Sequence, residues 1–432
     1  MYRNIYYNSK KAEIIEFHWD KDGNRVQSSE PFSPYLFVET DSETNFKTVF
    51  GTNAYPKKFR NAWERNKFTE SEGNRLFFNL PPEQQYAIGK YNKIDRGEFT
   101  KNKLRTFFLD IECPSPDEFP HASEAKYEIN LLTIYDSLTK TYYMWGSKAW
   151  DYSDYKEQLK DLGGKFKMPE NIEYFHIEDE AERLRHLLKF WQENTPDILS
   201  HWNGKSFDIP YIVNRIKLVL GKNDFKKLSP VNSVSYKDDF DKFGNPEIRV
   251  NIHAISDMDY EDVFKTFTFN AEQPSWSLDN ISNSILDCGK LEYDQGDLWT
   301  LSQEDWSTYA AYNLVDVALL VSLEEELEFL EVGRETAYEG FSNFVDCLGK
   351  IKTITGSIAA STLTDGLLVG TTNRVPNEKF EGGFVLEPQV GMSKNVVSFD
   401  IKSLYPSIMT SLNISHESTI GKIADGTKIL MS

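Results

Sequence analysis

The stretch that decides the fold is Arg105-Thr-Phe-Phe-Leu-Asp-Ile-Glu112. Its apolar run predicts a strand, and because alternate side chains of a strand point to the same face, Asp110 and Glu112 should lie side by side. Two neighbouring carboxylates on a sheet repel each other unless a cation bridges them. Mg²⁺ or Mn²⁺, which prefer oxygen ligands, would relieve that repulsion. The alternative is an exposed sheet edge on which both acids are solvated.

Strands alternate with amphipathic helices from Leu104 onwards, which indicates an α/β layer. One helix should end at Thr195-Pro196, because apolar residues recur before it at intervals of three and four. These residues are Leu184, Leu187, Leu188 and Trp191. The buried stretch Ile198-Leu-Ser-His-Trp202 then predicts another strand. A Gly-Asn turn at Gly244 between strand-like flanks predicts a projecting hairpin over 240–249.

Asp208 follows that second strand, within Asn203-Gly-Lys-Ser-Phe-Asp208, at the start of a predicted helix. An aspartate before a helix whose first turn contains proline is the usual N-cap arrangement, so the residue alone favours a cap. Further along, Ser302 and Asp305 resemble a capping box that opens a long helix reaching about Phe329.

Tyr312 and Asp316 lie four residues apart in this long helix and therefore share a face. Such a pair is ordinarily explained by packing plus a surface charge. Asp110, Glu112, Asp208 and Asp316 each have a structural explanation of this kind, but the ordered set is much less expected by chance.

The first hundred residues read as β-rich, because short alternating stretches such as Tyr35-Leu-Phe-Val38 stand between turn signals. Within them, Lys57-Lys-Phe-Arg60, Trp63 and Arg65 combine positive charge with aromatic rings. That mixture is expected of a nucleic-acid contact, although a solvated helix face is the preferred explanation.

A net charge of −19 argues against a general electrostatic hold on nucleic acid, since phosphate contacts require lysine and arginine. Any such contact would be local, bridged by metal or supplied by a partner. Cys113, Cys288 and Cys347 form neither a CxxC pair nor an even disulfide set, which fits a reducing compartment. We find no signal-peptide pattern and no apolar run approaching the roughly 20 residues of a membrane span, so we expect a soluble, cytoplasmic protein.

Val396-Val-Ser-Phe-Asp400 predicts a strand that ends at a carboxylate, and Pro406 can start the helix that follows. Backbone N–H groups between them would then face a triphosphate. Taken alone, the pattern is better explained as a buried strand ending in a cap. The Gly pair in Glu381-Gly-Gly383 permits a sharp turn before this strand.

Three motifs, in their order along the chain, resemble the exonuclease motifs of proofreading DNA polymerases of the DEDD superfamily. They are Asp110-x-Glu112, Asn203-x-x-x-Phe207-Asp208 and Tyr312-x-x-x-Asp316. The stretch Asp400-x-x-Ser403-Leu404-Tyr405-Pro406-Ser407 resembles motif A of family B polymerases. Nearly the whole chain is similar to the replicative family B polymerases of myovirus phages.

The resemblance implies a two-metal 3′-5′ proofreading exonuclease. Asp110 and Glu112 would hold two Mg²⁺ or Mn²⁺ ions around the scissile phosphate. Asp316 would bind one of the ions, and Asp208 would support the other. Tyr312 would orient the attacking water or hydroxide.

The resemblance also implies contacts to the DNA strand. Phe119 and Phe207 would stack or separate the frayed terminal bases, and Asn203 would bond the nucleotide. The hairpin near Gly244 matches the position of a family element that assists strand separation.

Motif A implies half of a polymerase site. Asp400 would bind both catalytic Mg²⁺ ions, Tyr405 would lie under the sugar of the dNTP substrate, and Ser403 and Leu404 would lie near its phosphates. The family's Asp-Thr-Asp strand and its Lys-x-x-x-Asn-Ser-x-Tyr-Gly helix do not occur in this sequence, so a second carboxylate must come from elsewhere. We therefore expect the N-terminal part or subunit of a split replicative DNA polymerase, which needs a C-terminal partner for template-directed synthesis.

The expected fold class is α/β, within an α+β multidomain chain. We expect a β-rich N-terminal domain over 1–103, continued by 330–372, a ribonuclease H-like exonuclease domain over 104–329, and a partial palm over 373–432. Expected partners are single-stranded 3′ ends, primer-template DNA, the C-terminal polymerase fragment, a sliding clamp and other replisome proteins, without a membrane. A phage-encoded chain would work in the cytoplasm of the host bacterium. The alternatives are a stand-alone 3′-5′ exonuclease and a non-catalytic scaffold that binds nucleic acid or protein.

Overall fold

The chain forms two compact units, Met1–Asn373 and Arg374–Ser432. The computed structural model describes residues 2–72, 76–94, 102–117, 119–153, 155–160, 162–240, 246–269, 272–370, 386–387, 390–392, 394–414 and 418. Within those ranges, no helix combines the length and the apolar character needed to cross a membrane.

The N-terminal part of the first unit consists mostly of strands, as the sequence predicts. One antiparallel sheet contains β1 (Tyr2–Asn8), β2 (Glu13–Trp19) and β3 (Arg25–Pro31). A second sheet contains β4 (Tyr35–Thr40), β5 (Phe46–Thr48), β6 (Asn53–Lys58) and β7 (Leu76–Phe77). Helix α1 (Ala62–Glu72) lies between β6 and β7 in the sequence, and helix α2 (Pro82–Tyr91) follows β7.

A six-stranded sheet follows and carries the Asp110–Glu112 stretch. Its main strands are β8 (Thr106–Glu112), β9 (Leu131–Asp136), β10 (Thr141–Gly146), β11 (Ile172–His176), β12 (Ile198–Ser200) and β15 (Ser256–Asp257). Their order is β11-β10-β9-β8-β12-β15, and β8 runs antiparallel to β9 and parallel to β12. Most side chains of β8 are buried on both faces, as in sheets covered by helices on each side. The mixed layer confirms the predicted fold class.

Helices pack around this sheet. They are α3 (Tyr155–Leu159), α4 (Glu180–Glu193), α5 (Asp208–Val219), α6 (Tyr260–Phe267), α7 (Leu278–Leu286), α8 (Leu298–Glu304) and α9 (Trp306–Leu327). Helix α4 ends before Thr195-Pro196 and buries the four predicted apolar residues, so that prediction is confirmed. Helix α9 packs on β8 and β9, and this contact brings Asp316 to the central strand.

After α9, the chain returns to the N-terminal strands through α10 (Phe329–Glu339), α11 (Lys350–Thr364) and β16 (Leu367–Leu368). Strand β16 pairs in parallel with β5. The Tyr338 hydroxyl donates to the Tyr2 carbonyl at 2.9 Å, and the Tyr2 hydroxyl donates to the Ser342 carbonyl at 2.9 Å. The two ends of the first unit therefore share one core.

A buried ion cluster joins the N-terminal strands to the six-stranded sheet. Arg3 and Arg25 contact the two carboxylate oxygens of Asp197 at 2.5 and 2.6 Å, and the backbone N–H of Arg105 donates to the same carboxylate at 2.9 Å. The Asp197 side chain is only 3% exposed, so its charge depends on these partners.

The long helix α9 begins later than predicted. Its N-cap is Asp305, whose side chain accepts from the Thr308 N–H at 3.0 Å. Ser302 lies inside α8, and its hydroxyl donates to the Trp299 carbonyl, so the predicted capping box is wrong. Helix α9 ends at Leu327, because the next residue takes a left-handed conformation.

Strands β13 (Val234–Phe240) and β14 (Pro246–Ile252) pair antiparallel and form the predicted hairpin. Its turn at Gly244 lies outside the described residues, as does the Glu381-Gly-Gly383 pair. In the second unit, α12 (Leu404–Ser411) begins two residues before Pro406. Residues 396–400 form no strand, contrary to the prediction, and the apolar side chains of Val396, Val397 and Phe399 are exposed.

Candidate active site

Three carboxylates meet where β8 passes under α9. Asp110 and Glu112 project from one face of β8, as the period of two requires, and Asp316 projects from α9. One oxygen atom from each lies within 4.8 Å of the others. The Glu112 and Asp316 side chains are buried, and Asp110 is partly exposed. The alternative of a solvated sheet edge is therefore wrong.

Burial and mutual repulsion hold these acids towards their protonated forms. Burial raises the pKa of Asp110 well above its usual range, and the negative charges of Asp208, Glu112 and Asp316 add to that shift. Burial, followed by the charge of Asp316, raises the pKa of Glu112 to about 8. Burial also raises the pKa of Asp316. Such shifts occur where like charges share a site that water does not fill.

Asp208 is the fourth acid of the cluster. It is the first residue of α5 and the N-cap is Phe207, so Asp208 does not occupy the N-cap position that the sequence favours, and the cap explanation is wrong. Burial raises the pKa of Asp208 to about 6, and the neighbouring His201 and hydrogen bonds from the N–H groups of Asp208 and Ile111 oppose that rise. The carboxylate therefore contacts the backbone of β8 beside Asp110.

Lys290 enters this acidic site from the chain after α7, and the sequence patterns gave no indication of it. Its Nζ lies 2.6 Å from Asp316 Oδ2 and 3.2 Å from the Tyr312 hydroxyl. Burial lowers the pKa of Lys290, but Asp316 and Tyr312 more than offset this, so the net shift is upward. Burial and the charge of Asp316 raise the pKa of Tyr312, which remains a neutral hydroxyl.

Asn313 was also missed as a site residue. Its amide Nδ2 donates to Asp110 Oδ2 at 2.6 Å, and its Oδ1 accepts from the Thr133 hydroxyl. The Asn313 side chain is completely buried, on the helix that packs against β8. A helix position that serves the core can thus fix the orientation of a site carboxylate.

The residues of the site fit divalent cations. The acids offer only oxygen atoms, which hard cations such as Mg²⁺ and Mn²⁺ prefer. Asp316 Oδ1 is buried and has no hydrogen-bond partner among the described residues. A buried carboxylate oxygen without a partner is costly, and a cation would satisfy it.

An open cavity of about 480 Å³ adjoins Glu112. Its lining includes Phe119 and Phe207, whose ring centroids lie 5.6 Å apart, together with Trp299 of α8. Phe119 is 74% exposed, so its ring is accessible to a ligand in the cavity. Asn203 is exposed in the loop between β12 and α5, where its backbone has a φ of 58°.

The basic stretch near Trp63 proves to have two kinds of residue. Arg65 is buried and donates to the Leu80 carbonyl at 2.5 Å, so it serves the fold. Trp63 is 69% exposed on α1.

In the second unit, the predicted polymerase residues surround the start of α12. Ser403 precedes that helix with a φ of 54°, and Leu404 and Tyr405 are its first residues. Asp400, Ser403, Leu404 and Tyr405 are exposed. The apolar residues before them are exposed too: Val396 73%, Val397 70% and Phe399 90%.

Comparisons with known proteins identify two family segments. Residues 85–281 match the exonuclease domain of DNA polymerase family B, and residues 348–429 match DNA polymerase family B. The chain is 32% identical over 94% of its length to the DNA-directed DNA polymerase of Escherichia phage RB69, and 29% identical over 95% to that of Enterobacteria phage T4. It covers 46% of each of these relatives, slightly less than half. The DNA polymerase delta catalytic subunit of Candida albicans is 26% identical over 57% of the chain.

Proposed function

The chain belongs to family B of the DNA polymerases, and from this premise we propose that it removes nucleotides from the 3′ end of DNA. The reaction is hydrolysis of the terminal phosphodiester bond. Water is the nucleophile, and the 3′ oxygen of the penultimate nucleotide is the leaving group. The observation that carries this proposal is the convergence of Asp110, Glu112 and Asp316 within 4.8 Å, with Asp208 beside them.

The roles follow from the chemistry of each side chain. Asp110, Glu112 and Asp316 would hold two Mg²⁺ or Mn²⁺ ions, with Asp208 supporting one of them. Bound divalent ions supply charge stabilisation to the attacking and leaving oxygens of a phosphoryl substitution. The Tyr312 hydroxyl is neutral and lies beside Lys290, so it can orient the attacking water by hydrogen bonding.

A single-stranded 3′ end is the substrate that the neighbouring cavity suits. Bases stack on aromatic side chains whatever their sequence, and the rings of Phe119 and Phe207 border the cavity next to Glu112. Asn203 would bond the terminal nucleotide. The net charge of −19 agrees with a local contact of this kind in place of a wide basic groove.

The second unit would supply half of a polymerase site. Asp400 would bind Mg²⁺, and Ser403, Leu404 and Tyr405 would contact the dNTP. Val396, Val397 and Phe399 are exposed, whereas a palm strand buries such residues against other strands. Their exposure supports the need for further strands to pack against them. Template-directed synthesis would therefore need a C-terminal polymerase segment, with primer-template DNA, a sliding clamp and other replisome proteins as partners in a bacterial cytoplasm.

The exonuclease proposal is tested by incubating the chain with 3′-labelled single-stranded DNA and Mg²⁺. We expect release of labelled mononucleotides, and loss of that release in Asp110→Ala. Asp151→Ala, an exposed aspartate that belongs to no cluster, is the matched control and should keep full activity. Release that persists unchanged in Asp110→Ala would disprove the assignment.

The polymerase half is tested separately, by adding the C-terminal portion of a related phage polymerase to the chain. Primer extension should appear only with both polypeptides, and Asp400→Ala should abolish it while leaving nucleotide release unchanged. Extension that survives Asp400→Ala would refute the role of this residue.

A further inference from the structure

His201 is a buried titratable residue that the proposed reaction does not use. It follows β12 and has no exposed surface. Its Nε2 lies 2.7 Å from Asp257 Oδ1, and its Nδ1 lies 3.3 Å from Asp259 Oδ2. Asp257 ends β15, and Asp259 is the N-cap of α6, so the imidazole ties three elements together.

The same node fixes the backbone of the loop that leads to Asp208. The Gly204 N–H donates to His201 Nδ1 at 3.0 Å. The N–H groups of Asn203 and Lys205 donate to the two carboxylate oxygens of Asp259 at 2.9 and 3.3 Å. Three consecutive backbone donors are therefore held by His201 and Asp259.

Gly204 is the point at which this node meets the proposed metal site. A Cβ atom at position 204 would lie 2.7 Å from His201 Nδ1 and 2.8 Å from Asp208 Oδ2. The imidazole and the carboxylate thus pack on the same Cα, with no room for a side chain between them. The Gly204 carbonyl also accepts from the Ile209 N–H at 2.9 Å, next to Asp208 at the start of α5.

We propose that His201 is a positioning residue that orients Asp208, through the Gly204 N–H, for its part in cation binding. This inference rests on the proposed exonuclease function. The pattern of contacts explains why a histidine is suited to this place. Its Nε2 contacts Asp257 while its Nδ1 accepts from the Gly204 N–H, and these two contacts need two nitrogen atoms in a fixed relation, which an imidazole ring supplies.

Two amide variants separate the two contacts. The Oδ1 of asparagine lies where Nδ1 lies, so His201→Asn keeps the acceptor for Gly204 and loses the bond to Asp257. The Nε2 of glutamine lies where the imidazole Nε2 lies, so His201→Gln keeps the donor to Asp257 and loses the acceptor for Gly204. If Gly204 transmits the effect, the asparagine variant should be the better enzyme.

The first experiment measures the rate of nucleotide release against Mg²⁺ concentration. His201→Gln should raise the half-saturating Mg²⁺ concentration about tenfold or more, the range found when outer partners of metal ligands are removed, and His201→Asn by only about threefold. The rise in melting temperature on adding Ca²⁺ to each variant should follow the same order, a readout independent of activity. Equal effects of the two variants on both readouts would overturn the proposal, as would loss of the cooperative melting transition in His201→Asn.

The second experiment places His201→Gln in an Asp208→Ala background. If His201 acts through Asp208, the added substitution should leave the Ca²⁺-dependent rise in the melting temperature of Asp208→Ala unchanged. Effects that simply add would overturn the proposal. If the unaltered chain releases no nucleotides at all, the exonuclease function is refuted. The Ca²⁺-dependent melting series would still decide the role of His201.

Discussion

Replacing Glu112 by Gln should stabilise the cation-free protein at alkaline pH, because it removes a charge that the fold repels. The pKa of Glu112 is raised from 4.5 to about 8, so the folded state favours the protonated acid. The stability that the protonated Glu112 side chain contributes is therefore complete below about pH 4.5 and is lost as the pH rises through 8. Each pKa unit corresponds to about 1.4 kcal/mol, which sets an upper limit of roughly 5 kcal/mol. Because neighbouring acids share the titration, we expect about 2 kcal/mol.

Thermal unfolding in EDTA at pH 8.5 measures this effect. A stabilisation of about 2 kcal/mol should raise the melting temperature of Glu112→Gln by roughly 2 to 3 °C, because the entropy of unfolding scales with the size of the first unit, and the difference should vanish at pH 5. Mg²⁺ should raise the melting temperature of the unaltered chain and have less effect on the variant. Glu173→Gln, which changes an exposed residue of the same sheet, is the control and should leave the melting temperature unchanged. A Glu112→Gln protein that melts at or below the unaltered chain at pH 8.5 would refute the electrostatic argument.

Three further predictions address other parts of the molecule. Lys290→Met should lower the rate of nucleotide release about tenfold or more, since it removes the hydrogen bonds to Asp316 and Tyr312. Lys265→Met is the control and should not lower that rate. An unchanged rate in Lys290→Met would contradict the assigned contact. Phe119→Ala should raise KM for single-stranded DNA about tenfold while leaving kcat within a fewfold, because one stacked base contributes about 1 to 3 kcal/mol; a fall in kcat alone would contradict a stacking role. Asp197→Ala should lower the free energy of unfolding by about 3 to 5 kcal/mol in denaturant titrations, since it leaves two arginines without their buried partner, and a loss below 1 kcal/mol would contradict this account.

The sequence predicted the parts of the site that follow a local period. Asp110 and Glu112 share a face because alternate side chains of a strand point the same way. Tyr312 and Asp316 share a face because residues four apart are neighbours on the surface of a helix. Lys290 could not be predicted in this way, because it lies in irregular chain after α7 and meets Asp316 only through tertiary packing. The capping box failed for a related reason, since a serine three residues before an acid also fits the interior of a short helix such as α8.

The position of β8 explains why we expect the proposed site to depend on cations. A central strand with neighbours on both sides cannot move its carboxylates to the edge of the sheet, and α9 covers the face from which they project. Asn313 donates to Asp110 and Lys290 forms an ion pair with Asp316, so ionisation of the other acids would place uncompensated negative charges in a buried space. The fold can lower that energy only by retaining protons or by binding cations. At pH 7, cation binding should therefore release protons, and calorimetric titration of the chain with Mg²⁺ in buffers of different ionisation enthalpy should give different apparent heats. Equal heats in all buffers would mean that the acids are already ionised in the free protein, and that the charge of this site is balanced by another group.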